Sequence, residues 1–81
     1  HNEEKLYIRV PHDRYNDIIS SVKSVLSAFK GSTPVYICIE DRGNKKRNIM
    51  AASKNLWVEV NQELLDRLNQ ILGEDNIKVC S

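Results

Sequence analysis

Apolar residues recur along this chain with two different periods, and the switches between them mark its elements. Leu6-Tyr7-Ile8-Arg9-Val10 alternates with period two, which predicts a half-buried strand with Leu6, Ile8 and Val10 on one face. Pro11 ends that strand and Asp13 stands where a helix cap is expected. Tyr15, Ile18, Ile19, Val22, Leu26 and Phe29 then return every three or four residues until Gly31 supplies a stop. After Ser32-Thr33-Pro34 the alternation resumes at Val35, Ile37 and Ile39, with Tyr36, Cys38 and Glu40 facing the other way. Asp41 to Lys46, centred on Gly43-Asn44, reads as an exposed turn into a short antiparallel strand near Arg47 to Ala52. Leu56-Trp57-Val58-Glu59-Val60 predicts another strand. Asn61 caps a second helix, whose stripe of Leu64, Leu65, Leu68, Ile71 and Leu72 ends at Gly73. Asn76 to Cys80 makes a last strand with Ile77 and Val79 inward.

The two halves look alike. Leu6 to Val10 matches Leu56 to Val60, and Gly31 to Cys38 matches Gly73 to Cys80. Each half is a strand, a helix and a strand, and two such units bury their apolar surfaces if both helices share one side of one sheet. The expected class is therefore α+β: a two-layer α/β sandwich of split βαβ or ferredoxin-like type, β-α-β-(β)-β-α-β, with both helices on one sheet face.

Composition narrows the function classes. Eighty-one residues allow one small domain. At 41% apolar and 28% charged, this is an ordinary globular chain rather than a disordered or collagen-like one. Twelve Lys and Arg against eleven Asp and Glu leave +1, so charge-driven contacts must be local. No apolar run approaches the roughly 20 residues that cross a bilayer, and the charged start is no signal peptide, so no membrane partner is expected. Cys38 and Cys80 are too few for a disulfide framework and lack zinc spacing, which points to a reducing, cytoplasmic setting. Because Met50 is the sole methionine, residue 1 reads as no initiator and the chain as a cut-out of something longer.

With both helices on one side, Lys5, Tyr7, Arg9, Tyr36, Cys38, Glu40, Trp57, Glu59, Lys78 and Cys80 are expected on the other. Tyr7, Arg9, Tyr36 and Trp57 are the candidate partner-binding residues. They resemble in kind a stacking platform for single-stranded nucleic acid, although aromatics also pair across strands and form contact surfaces for proteins. The aromatic, Gly-rich strand of an RNA-recognition motif is absent, since Arg47-Asn48-Ile49-Met50 does not match it. Arg42, Lys45, Lys46 and Arg47 are the nucleic-acid candidates, but four phosphate contacts would give a salt slope of only about −3.6, and a charged hairpin tip serves solubility equally well. No catalytic residue and no metal ligand is assigned: Asp13 is better used as a cap than as the partner of His12, and Glu63 and Asp66 read as a solvated helix face.

The order Leu6 to Val10, Gly31-Ser32-Thr33-Pro34-Val35-Tyr36-Ile37, Leu56 to Asn61 with Glu63-Leu64-Leu65, and Leu72-Gly73-Glu74-Asp75-Asn76-Ile77-Lys78-Val79 resembles the extreme C-terminal domain of the bacterial DNA polymerase III alpha subunit, over nearly the whole chain. The resemblance implies an assembly domain without chemistry of its own, part of a DNA-directed DNA polymerase whose catalytic aspartates and Mg²⁺ lie in a separate palm domain. No cofactor is then expected in this fragment. Its implied partners are the tau subunit of the clamp loader or the adjoining OB fold, with single-stranded DNA as a weaker possibility. On that reading residues 1–4 are a disordered or added start, and 5–81 form one domain. A single-strand nucleic-acid-binding module is the alternative. A small-ligand regulatory domain of ACT type shares the fold class but wants glycine where this chain has Pro11-His12-Asp13.

Overall fold

In the computed structural model, which describes residues 4–41 and 43–81, the chain runs through strand β1 (Lys5–Pro11), helix α1 (Tyr15–Ala28), strands β2 (Lys30–Thr33), β3 (Val35–Asp41) and β4 (Lys46–Ala51), helix α2 (Gln62–Leu72) and strand β5 (Ile77–Cys80). The expected start at 1–4 thus falls almost wholly outside the described residues. Alternation in β1 is strict: Leu6, Ile8 and Val10 have no exposed surface. Beside it lies β3, parallel and in register, Leu6 with Val35 and Ile8 with Ile37. Parallel neighbours need a crossover, and α1 supplies it. A tight hairpin brings β4 back antiparallel to β3, and β5 pairs antiparallel with the other edge of β1. The order is β4-β3-β1-β5.

Both helices cover the same face. Ile18, Val22 and Leu26 of α1 and Leu64 and Leu68 of α2 join Leu6, Ile8, Val10, Val35, Ile37 and Val58 in one core. The two-layer α+β class holds. Within it, β1 and β3 are direct hydrogen-bonded neighbours, so the βαβ unit is not split by an inserted strand. Among the described residues no helix is long and apolar enough to cross a membrane.

Four local expectations give way to packing. Leu56 to Val60 is not a strand of the sheet: Leu56 closes a 3-10 turn, and only Val58 makes bridges, to Lys30 and Thr33 of β2. Both edges of β1 are taken by β3 and β5, so the alternating segment buries Val58 under the helix layer instead. Gly31 does not stop α1, whose C-cap is Phe29. It sits in β2, where a Cβ would come within 2.4 Å of the Glu59 nitrogen and 2.5 Å of the Val58 carbonyl carbon, and the Gly31 amide donates to the Trp57 carbonyl at 3.0 Å. Close backbone approach, not helix termination, is what requires glycine here. Asp13 is no cap, because a 3-10 turn over His12–Arg14 precedes the helix and Arg14 occupies the cap position without a side-chain bond. Val79 points to the helix side but stays 37% exposed, at the outer edge of the sheet.

Other local signals act as read. The Asn61 side chain accepts from the Leu64 amide at 2.9 Å, and Gly73 ends α2 at φ 89°, a conformation that costs other residues. The Asp41 carboxylate accepts from the Gly43 amide at 3.0 Å and from the Asn44 side chain at 3.1 Å, which closes the hairpin. Replacing Gly31 with Ala forces the β2 backbone away from Val58 and is expected to destabilise the domain by about 1–3 kcal/mol. Gly43→Ala, whose Cβ would meet the Asp41 carboxylate at 3.4 Å, should stay within about 0.5 kcal/mol. Urea midpoints of the two variants check this; equal stability would refute the close-approach reading.

Candidate functional site

Alternation that buries Leu6, Ile8 and Val10 turns Tyr7 and Arg9 to the open side of the sheet, and the parallel register sets Tyr36 beside Tyr7 and Cys38 beside Arg9. In-register side chains on parallel strands lie flank to flank, so the tyrosine rings stack at 5.2 Å between centroids and 19° between planes, within the favourable range for aromatic pairs. Arg9 is held from the opposite end of the chain. Its Nε donates to Asn76 Oδ1 at 2.9 Å and an Nη donates to the Asp75 carbonyl at 3.1 Å. Asn76 in turn donates to the Leu72 carbonyl at the end of α2. This chain of bonds fixes the guanidinium over the sheet and ties β1 to the α2–β5 connection.

Glu40 lies between two arginines. Its Oε2 is 3.4 Å from Arg47 Nε and 4.0 Å from the nearer Arg9 nitrogen, so one carboxylate is shared by two guanidiniums. Both arginines are substantially exposed, and such pairs contribute little energy. An open concavity of about 360 Å³ lies beside them, lined by Arg9, Cys38, Arg47, Ile49, Asn76 and Lys78 among others. Ile49, opposite Cys38 in the β3–β4 register, is 62% exposed.

Three of the four partner-binding candidates, Tyr7, Arg9 and Tyr36, are therefore brought together. Trp57 is not among them. It belongs to the segment outside the sheet, half-buried, with Lys54 Nζ 5.7 Å from its ring centre. Its expected place on the face depended on Leu56 to Val60 being a sheet strand. The basic candidates divide: Arg47 pairs opposite Glu40 on the open side, Lys46 pairs opposite Asp41 on the alternate side, and Lys45 sits in the turn at φ 55°. Arg42 lies outside the described residues. Asn76 and Asp75 escaped the sequence reading, since their role depends on a contact with Arg9 that spans nearly the whole chain. The exposure of Ile49 escaped it too.

The remaining chemistry-bearing residues are engaged locally. Glu63 Oε2 accepts from an Nη of Arg67 at 3.0 Å and Asp66 from the Gln62 amide at 2.9 Å, both on one solvated helix face. His12 and Asp13 border a hollow with Glu40 and Asp41, and among the described residues no group of three or more His, Cys, Asp or Glu could hold a metal ion. Cys38 and Cys80 are free thiols. No family model, no curated protein and no solved structure matches this chain.

The bonding of Arg9 predicts an asymmetry between its hydrogen bonds to Asn76 and Asp75 and its ion pair with Glu40. Arg9→Ala loses two hydrogen bonds from a charged donor and should cost about 1–2 kcal/mol, while Glu40→Gln, which removes only exposed ion pairs, should stay within about 0.5 kcal/mol. Thermal unfolding of both variants decides it, and a larger loss in Glu40→Gln would reverse the ranking of these contacts.

Proposed function

We propose that this chain is the C-terminal assembly domain of a replicative DNA polymerase III alpha subunit, cytoplasmic, and that it holds a protein partner on the open sheet face. The tau subunit of the clamp loader and the adjoining OB fold are the partners the resemblance implies. DNA synthesis and its Mg²⁺ would belong to the palm domain of the parent enzyme. The polymerase assignment is supported by the order of residues that carries the resemblance, and the surface assignment by a single observation: a stacked, half-buried Tyr7–Tyr36 pair lies on the open side of the sheet beside a hydrogen-bonded Arg9. Tyr and Arg are the side chains that most often dominate protein interfaces. Here both are already ordered, so docking on them sacrifices little conformational freedom.

The single-strand nucleic-acid alternative is less well supported. Base stacking needs ring faces turned outward, whereas Tyr7 and Tyr36 turn one face to each other and Trp57 is outside the sheet. Two titrations of this chain separate the readings, with tyrosine-ring resonances as the readout because Trp57 does not report on the face. The C-terminal region of tau should shift the Tyr7 and Tyr36 signals and saturate below about 100 µM, and Tyr7→Ala should weaken it by about tenfold. Oligo-dT should leave them unchanged. Saturation by oligo-dT that salt reverses, with none by tau, would reverse the assignment.

A further inference from the structure

Strand β4 is the outermost strand next to β3, and all six of its residues are exposed. It is protected at one end alone. Natural edges are blunted by bulges, prolines or charged side chains, Lys above all; β4 pairs with β3 residue by residue, from Lys46 opposite Asp41 to Ala51 opposite Tyr36, with no bulge and no proline. Its charges are confined to Lys46 and Arg47 at one end, next to Lys45, while Asn48 to Ala51 carries none. Two of the three most exposed large apolar residues of the described chain are consecutive here, Ile49 at 62% and Met50 at 41%.

Consecutive strand residues point to opposite faces. A partner lying on the open face would cover Ile49 and leave Met50 in water. A partner adding a strand to the edge flanks both, because its own side chains alternate in the same way. We infer that the β4 edge accepts an extended peptide segment of another protein, apolar where it passes Ile49 and Met50 and acidic where it passes Lys45, Lys46 and Arg47. Charge complementarity selects this occupant over a second copy. Antiparallel self-pairing centred on Ile49 sets Arg47 opposite Ala51 and Lys46 opposite Ala52, so the second copy brings no acidic residue to these cations, whereas an incoming strand with Asp and Glu does. The inference is independent of the polymerase reading, since it rests on β4 alone.

Antiparallel pairing requires the apolar residues first and the acidic residues last. The probe is accordingly a fluorescein-labelled peptide, Ser-Val-Ile-Val-Thr-Glu-Asp-Glu, with the reversed sequence as a control of identical composition. Fluorescence anisotropy with this chain should saturate below about 1 mM, and the reversed peptide should bind about tenfold more weakly. Ile49→Lys should weaken binding by at least about tenfold with an unchanged circular-dichroism spectrum. Lys46→Glu provides the same test through charge if Ile49→Lys fails to fold. Amide hydrogen exchange in β4 should slow on binding. No saturation at about 1 mM, or binding insensitive to Ile49→Lys and to Lys46→Glu but lost in Tyr7→Ala, would overturn the edge assignment. A concentration-dependent dimer in sedimentation that Ile49→Lys abolishes, without peptide binding, would replace the peptide with a second copy.

Discussion

Strand β1 is the constraint on which the rest of this domain depends. It is hydrogen-bonded on both edges, to β3 in parallel and to β5 antiparallel, and its inner residues Leu6, Ile8 and Val10 are fully buried under the helices. The parallel partnership obliges the chain to cross over between them, which places α1. The antiparallel partnership requires a return from the far end of the chain, which places α2 and the Gly73 turn. In a domain this small, where burial is limited by surface-to-volume scaling, an element that finds no edge on β1 must pack against the helix layer or remain at the margin. Leu56 to Val60 does the first, through Val58, and β4 does the second.

That contrast explains what could be read from sequence. Period-two alternation correctly assigns the faces of Leu6 to Val10 and of Val35 to Ile39, and with them the open-side positions of Tyr7, Arg9 and Tyr36, because facing is a local property of an extended chain. Leu56 to Val60 alternates just as well and buries Val58 as completely, yet it is outside the sheet. Alternation says which side chains go inward but not whether a strand has a neighbour, since that depends on which edges other segments have occupied. Trp57 lies away from the open face for this reason. The two glycines of the apparent repeat divide along the same line. Gly73 acts through its own φ, a local property, while Gly31 acts through the approach of Val58 and Glu59, which only tertiary structure reveals.

The near-zero net charge also changes meaning once the residues are placed. By strand register, Lys5, Arg9, Arg47 and Lys78 fall on the open side of the sheet with Glu40 as the acidic residue among them. The helix α2 and the turn after it carry Glu63, Asp66, Glu74 and Asp75 with Arg67 as their cation. A total of +1 thus conceals a local excess of cations among the strand residues of the open side. Within about 10 Å, the screening length at moderate salt, an approaching partner senses the local group rather than the total.

The open face and the β4 edge, as the two surfaces proposed for partners, would recognise them in different ways. The face is organised by side chains: a tyrosine stack and a guanidinium held in place by Asn76 and Asp75. Its selectivity depends on shape and on pairing with Arg9. The edge is organised by backbone groups, with selectivity added through the positions of Ile49, Met50 and the neighbouring cations. Strand addition at β4 would extend the sheet sideways without burying Tyr7 or Tyr36, because β4 stands between the edge and Tyr36 of β3, and both β4 and β3 stand between it and Tyr7 of β1. The two surfaces meet at Arg47, which belongs to β4 yet reaches Glu40 on the open side at 3.4 Å. An acidic residue arriving along the edge competes with Glu40 for Arg47, and the carboxylate released is the one shared with Arg9. If the edge is occupied in the way proposed, that shared carboxylate is the contact through which the charge balance around Arg9 would change.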